Sequence, residues 1–198
     1  MHELEFPWDE STHLAIFTGG GYDKLSRLKY ALENGCPCDG TVCCAAVAKG
    51  GMTTLAKLRD IGFPLDDSAF VAAARSGHLH MIQFLKDSGY CWGQSSFNAA
   101  VAGGHLTCVE YMVQHNCPMD VMNAIDTAAQ HGHVAVIRYL RERRFPWTSN
   151  TCAVAASFGR LKVLQYLHAN KCPWDEETCL RATPECLDYA VRNGCPGG

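Results

Sequence analysis

The chain has 198 residues, of which 47% are hydrophobic and 19% are charged, and its formal net charge is −3 at pH 7. This composition is typical of a folded domain with a continuous core. The negative charge disfavours a general polyanion-binding protein, which would carry a basic stripe, so we expect no nucleic-acid partner. No apolar run approaches the roughly 18 residues that a membrane span needs, and we expect no membrane association.

The N-terminal residues 1–6 are acidic and lack the basic and apolar regions of a secretory signal. We therefore expect an intracellular, cytoplasmic protein. The first predicted unit carries three extra residues around the glycine triplet at 19–21, which predicts a widened turn between two helices.

A fixed period organises the chain. An alanine recurs every 27 or 28 residues, at Ala46, Ala73, Ala100, Ala128, Ala155 and Ala182. A glycine follows four residues later in five of these places, at Gly50, Gly77, Gly104, Gly132 and Gly159. Such a period predicts a repeat solenoid, in which each unit buries its apolar face by stacking on its neighbours. We expect one domain with repeats at approximately 6–35, 36–62, 63–89, 90–116, 117–144, 145–171 and 172–194.

The unit at 63–89 shows the predicted structure of one repeat. Asp67 or Ser68 is expected to cap a first helix over about 69–75. Gly77 ends that helix, because glycine adopts a left-handed turn without a Cβ penalty. A second helix follows over about 79–87, with apolar residues at helical spacing. The unit is therefore predicted to be a helix–turn–helix hairpin with a short return linker.

Two kinds of departure stand out. Second helices end in Gly or Asn in most repeats, but in Arg144 and Lys171 in two, and these two junctions are expected to end differently. The last repeat has lost its glycine turn, and Thr183 followed by Pro184 predicts the start of a new helix there. Atypical first and last units are expected where a stack is capped.

Twelve cysteines are present, and most share positions with apolar residues of other repeats. A position that accepts Cys, Phe or Ile is expected to be buried, with a reduced thiol. The spacing of Cys36, Cys38, Cys43 and Cys44 suits zinc, but two of them fall on such positions. We expect no metal and no cofactor; a thiol-rich metal-binding or redox module is the alternative.

The turn resembles that of ankyrin repeats. It reads AARSGH at 73–78, AAQHGH at 128–133 and AASFGR at 155–160. The resemblance extends from about residue 6 to residue 195 and implies an all-α, helix–turn–helix solenoid of about seven repeats. It also implies a non-enzymatic, protein-binding scaffold, in which His78, His105 and His133 make structural hydrogen bonds.

The repeats depart from that family in length. The family repeat has 33 residues, and the six that are missing here lie where the family forms a β-hairpin finger. Shortened repeats of this kind resemble arrays in giant viruses and some unicellular eukaryotes. If the chain is viral, the host cell cytoplasm is the expected location.

The strip of first helices is the predicted binding surface, since positions i and i+4 share a face and stacking aligns them. The candidate partner-binding residues are Arg75, Asn98, Asp126, Gln130, His131 and Phe158. Secondary candidates of two kinds follow. The first are the linker tryptophans Trp92, Trp147 and Trp174. The second is an outer basic patch that includes Arg138 and Arg141, with Arg143, Arg144, Arg160 and Lys162 nearby.

No catalytic motif appears, and acidic pairs lie at helix starts, so we expect no catalytic residue. The predicted function is a scaffold or adaptor that binds a protein of unknown identity. The alternatives are the metal or redox module and a purely structural spacer. We expect a monomer, with dimerisation through the C-terminal repeat as the other possibility.

Overall fold

The computed structural model describes residues 8–9, 11–20 and 23–197. The predicted start of the first repeat at residue 6 and the third glycine of the triplet, Gly21, lie outside the described residues. Across the described ranges the chain forms fourteen α-helices and no strand.

The helices come in pairs joined by short turns. The first helices are α1 (Thr12–Thr18), α3 (Thr41–Ala48), α5 (Asp67–Arg75), α7 (Gln94–Gly103), α9 (Ala124–His131), α11 (Ser149–Ser157) and α13 (Glu176–Leu180). The second helices are α2 (Lys24–Glu33), α4 (Met52–Asp60), α6 (Leu79–Asp87), α8 (Leu106–Gln114), α10 (Val134–Glu142), α12 (Leu161–Ala169) and α14 (Pro184–Arg192).

The pairs stack into two layers. Each first helix from α3 to α13 contacts the next first helix, and the second helices from α6 to α14 contact one another in the same order. The prediction of an all-α, helix–turn–helix solenoid is therefore confirmed. The first-helix layer and the second-helix layer present two separate surfaces along the stack.

The core combines small residues, where first helices meet, with larger apolar side chains from both layers. The periodic alanines, such as Ala73 and Ala100, are completely buried and let neighbouring first helices approach closely. The second helices contribute larger side chains at helical spacing, such as Ile82 and Leu85 in α6. The first helices also bury large side chains, including Phe70 and Phe97. Truncating a large buried side chain of either layer to alanine typically costs about 2–5 kcal/mol.

The start of α5 differs from its prediction. The helix begins at Asp67, and the cap is Asp66, whose side chain accepts a hydrogen bond of 2.9 Å from the Ser68 backbone. Asp67 instead accepts hydrogen bonds from the Gly93 backbone at 2.7 Å and from the Ser96 hydroxyl, both in the next repeat. Of two neighbouring aspartates, the first therefore caps the helix and the second holds two repeats together.

The ends of the second helices also correct an expectation. Arg144 has φ 65° and Lys171 has φ 61°, in the same left-handed region as the glycines Gly62 and Gly89 at equivalent positions. These two junctions therefore end like the others, although a left-handed residue with a Cβ costs roughly 1–2 kcal/mol. In the last repeat, Thr183 precedes α14 and Pro184 is its first residue, as the sequence predicts.

Candidate partner-binding surface

One hydrogen bond recurs at the glycine turns. The Nε2 atom of His78 lies 3.1 Å from the Ala48 carbonyl oxygen. In the next two repeats, Nε2 of His105 lies 2.9 Å from the Arg75 carbonyl oxygen, and Nε2 of His133 lies 2.9 Å from that of Ala102. Each accepting carbonyl lies at the end of the preceding first helix, where backbone carbonyls lack intrahelical partners. The turn histidines therefore tie each first helix to the following turn, which is the structural role that the resemblance implies.

Arg160 takes the histidine position in the next repeat. Its Nε donates to the carbonyl oxygen of Gln130 over 2.9 Å, so the tie survives a change of residue type.

Gly77 shows why the turn needs glycine. It has φ 72°, and a Cβ there would lie 2.5 Å from Nδ1 of His105.

These hydrogen bonds fix the backbone of the predicted strip and do not involve the side chains of Arg75, Asn98 and Gln130. Arg75 is exposed at the end of α5, and Gln130 is half-buried near the end of α9. Asn98 is half-buried in α7, one turn from the helix start. Neither amide, of Asn98 or of Gln130, makes a side-chain hydrogen bond to any described residue. The strip thus presents polar groups on a fixed backbone.

Asp126 behaves differently from the rest of the strip. Its Oδ2 accepts a hydrogen bond of 2.6 Å from the Asn150 amide, and its Oδ1 accepts from the hydroxyl of the fully buried Thr151. Both donors lie at the start of α11 in the next repeat. The carboxylate therefore joins two repeats, and sequence reasoning did not identify Asn150 as its partner.

His131 and Phe158 occupy the same position in successive repeats. His131 is exposed at the end of α9, with Nδ1 3.0 Å from the Thr127 carbonyl oxygen. Its ring lies parallel to that of His133, with centroids 6.2 Å apart. Phe158 caps the end of α11 and is 50% exposed, although it is a large apolar side chain. The turn edge thus carries two exposed rings.

A surface groove of about 420 Å³ opens beside these rings. Its walls are formed by His131, Gly132, Gly159, Arg160, Leu161, Lys162, Val163 and Glu185. Glu185 was not a predicted site residue. It reaches the groove because the last repeat has lost its glycine turn and begins α14 there, a signal that the sequence carried but that was interpreted only as a helix start.

The predicted basic patch separates into two parts. Arg160 and Lys162 lie at the start of α12 and line the groove. Arg138, Arg141, Arg143 and Arg144 lie along and just after the last two turns of α10. The structure therefore does not bring all of the predicted basic residues together.

The three tryptophans pack on the second helix that precedes each of them. Trp92 is 8% exposed, and Lys86 Nζ lies 4.7 Å from the centroid of the ring. The Arg141 guanidinium carbon lies 4.3 Å from the centroid of the half-buried Trp147. His168 stacks on Trp174 with centroids 4.1 Å apart. In each case the partner lies six residues before the tryptophan, so these rings serve packing within the stack.

The cysteines are free thiols, and most are buried. Burial raises the pKa of Cys43 and of Cys117 to about 12. The linker thiols donate to the preceding repeat, as in Cys172 to the Thr148 carbonyl oxygen over 3.4 Å and Cys195 to that of Asp175 over 3.3 Å. Metal binding and nucleophilic attack require the thiolate form of cysteine. Burial disfavours that form at neutral pH because it raises the pKa of these thiols.

Two features are absent from the described residues. No three His, Cys, Asp or Glu side chains are grouped so as to hold a metal ion. No helix in the described part of the chain is both long and apolar enough to span a bilayer.

The stacked helix pairs, left-handed glycine turns and recurring turn hydrogen bond define a helical repeat protein of the solenoid class. Residues 69–151 match the family model described as "Ankyrin repeats (3 copies)". The crystal structure of the human ASB11 ankyrin repeat domain is similar over 77% of this chain and 83% of that chain, with a TM-score of 0.61 and 17% sequence identity. This identity shows a shared fold alone. Comparison with curated protein sequences gives no match.

Proposed function

We propose that the chain is a non-catalytic scaffold that binds a partner protein through its first-helix strip. Ankyrin repeats are, as a class, protein–protein interaction modules, and a stacked array presents an extended surface suited to that use. The contacts proposed here come from Arg75, Asn98, Gln130, His131 and Phe158. Asp126 takes part as a positioning residue, because it fixes Asn150 at the start of α11.

One observation carries the proposal. Phe158 is half exposed at the end of α11, on a backbone fixed by the neighbouring turn hydrogen bonds. It directly precedes Gly159, which lines the groove together with His131 and Arg160. Aromatic side chains next to a pocket are typical anchors of protein interfaces. The free amides of Asn98 and Gln130 lie in neighbouring repeats and add hydrogen-bonding groups to the same layer.

The proposal is tested by site-specific crosslinking. Phe158 is replaced by a photoreactive phenylalanine analogue, and adducts formed in lysate of the source cell are identified by mass spectrometry. Tyr30, an aromatic residue with 61% exposure in the first repeat, carries the analogue in a matched control. We expect a discrete adduct from position 158 that is absent from position 30. Equal adducts at both positions, or none at 158, would contradict binding through the strip.

A paired variant separates contact from folding. Asn98→Arg with Gln130→Glu changes two amides that make no hydrogen bonds to described residues, so the fold should be retained and the adduct at position 158 should be lost. Asp126→Arg is unsuitable for this purpose because it removes the acceptor of Asn150 and Thr151. If the paired variant folds and still forms the adduct in full, the strip is not the contact surface. That outcome would favour a structural spacer.

A further inference from the structure

The second-helix layer carries a concentrated positive charge that has no ionic partner. Four arginines and one glutamate lie between residues 138 and 144, and all four arginines are exposed. We call Arg138, Arg141, Arg143 and Arg144, together with Lys171, the arginine edge. The salt bridges of the described residues involve Lys29, Arg59, Arg181 and Arg192, so no member of the arginine edge takes part in one.

Aromatic rings hold three of these guanidinium groups. The guanidinium carbon of Arg143 lies 3.8 Å from the ring centroid of Tyr139. The guanidinium carbon of Arg141 lies 4.3 Å from the ring centroid of Trp147. The guanidinium carbon of Arg138 lies 5.9 Å from the ring centroid of Tyr166 in α12. Packing on a ring orients the planar group and leaves N–H donors at the edge of the plane. One donor of Arg141 is already used, since its Nη1 donates to the Phe145 carbonyl oxygen over 3.2 Å. The arginines are thus partly ordered before a ligand arrives.

The backbone provides a second, independent observation. Arg144 and Lys171 occupy a left-handed position that Gly35, Gly62 and Gly89 fill in earlier repeats and that Asn116 fills in the repeat directly before them. A cation near a helix C-terminus gains about 0.3–1 kcal/mol, which is less than the roughly 1–2 kcal/mol cost of the left-handed turn. Two adjoining repeats therefore keep a cation where glycine would be more stable. Strain of this kind is typical of functional positions.

We propose that the arginine edge binds an acidic segment of a protein partner through the carboxylates of that segment. Oriented guanidinium groups match carboxylates by paired N–H donors. A nucleic acid is disfavoured because the net charge of the chain is −3 and the edge spans the ends of only two helices, α10 and α12. The edge lies in the opposite layer from the first-helix strip, so it goes beyond the proposed function and would let one chain hold two proteins.

The test uses two labelled probes and two charge-matched variants. Binding of a fluorescein-labelled, glutamate-rich peptide is measured by fluorescence anisotropy, with the glutamine version of the peptide as a control. Arg138→Gln with Arg143→Gln removes two cations of the edge that make no hydrogen bond or ion pair with a described residue. Arg181→Gln with Arg192→Gln removes the same charge, but from exposed arginines that already pair with Glu177 and Asp188.

We expect the wild type to bind the glutamate peptide and not the glutamine peptide. The edge variant, which loses two cations, should bind about tenfold more weakly, since each exposed charge contact is worth roughly threefold in affinity, while the matched variant should differ little. Equal losses in both variants, or no binding by the wild type at low salt, would overturn the proposal. Tighter binding to a labelled single-stranded oligothymidine than to the peptide would also overturn it, in favour of nucleic acid.

Arg144→Gly gives a readout that a structural role would not produce. Glycine relieves the left-handed strain, so the midpoint of urea unfolding should rise while the affinity for the glutamate peptide falls. A variant that is more stable but binds the peptide unchanged would remove Arg144 from the proposed site.

Discussion

Thr151 donates its hydroxyl hydrogen to the carboxylate of Asp126, and this bond joins α11 to α9. The same position one repeat later holds Thr178, which is also completely buried but whose hydroxyl has no hydrogen-bond partner among the described residues. The residue equivalent to Asp126 is there Ala153. The Thr151 hydroxyl oxygen also accepts a hydrogen bond of 3.1 Å from the Thr148 backbone. The hydroxyl of Thr151 thus has two partners, and that of Thr178 has none among the described residues.

The two threonines should respond oppositely to substitution by valine, which has nearly the same shape. Thr151→Val leaves Asp126 without one donor and the Thr148 backbone N–H without its acceptor, and it is expected to lower the free energy of unfolding by about 1–3 kcal/mol. Thr178→Val removes a hydroxyl that is buried without a partner and should be neutral or stabilising. Urea denaturation followed by circular dichroism measures both. Equal destabilisation by the two variants would refute the distinction.

Substitution by alanine should cost different amounts of stability at two glycines with similar backbone conformations. Gly77 has φ 72° and lies against the His105 ring, whereas Gly89 has φ 84° and nothing within 4 Å of the site of a Cβ. Gly89→Ala should cost only the conformational term of roughly 1–2 kcal/mol. Gly77→Ala should cost more, because the methyl group also displaces His105 from the Arg75 carbonyl oxygen. Thermal and urea unfolding of the two variants provide the comparison, and a Gly77→Ala cost no larger than that of Gly89→Ala would contradict it.

The buried thiols should make stability depend on pH in the alkaline range. Burial raises the pKa of Cys43 and of Cys117 from 9.0 to about 12. An unfolded chain therefore releases these protons first, so their contribution is fully present below pH 9 and is lost as the pH rises towards 12. We expect the urea midpoint to be flat from neutral pH to about pH 9 and to fall above it.

Valine at positions 43 and 117 should flatten that alkaline decline, and this double variant is the control. Native-state titration with a thiol reagent gives a second check, since Cys91 is exposed and should react first. Rapid reaction of Cys43 or Cys117 in the folded protein would show that these thiols are accessible, contrary to the expected burial.

The helix pairs were predictable from sequence because an alanine and a glycine recur in phase, and both residue types have a local physical role. The cap at Asp66 was missed because Asp66, Asp67 and Ser68 are all suitable capping residues, and only their backbone geometry selects one. The replacement of histidine by Arg160 at the turn was visible as a register match. Its hydrogen bond to Gln130 became visible only in the structure.

The candidate surface was less predictable than the fold. Asp126 was a candidate contact because of its position on the helix face, but that face also touches the next repeat. Whether a side chain points to solvent or to a neighbour depends on residues about one repeat away, such as Asn150, which a helical pattern does not reveal. The exposure of Phe158 and the groove beside it likewise depend on how three repeats meet.

The ties at the turns and linkers have a direction along the chain, whereas His13 in α1 donates the opposite way, to the Pro37 carbonyl oxygen of the next repeat. At the turns and helix starts, donors such as His105, Arg160 and Thr151 belong to the later repeat, and the acceptors belong to the earlier one. The linker thiols of Cys172 and Cys195 follow the same order. During synthesis, each new unit therefore leaves the ribosome next to a neighbour whose acceptors are already in place, and folding can advance unit by unit behind translation.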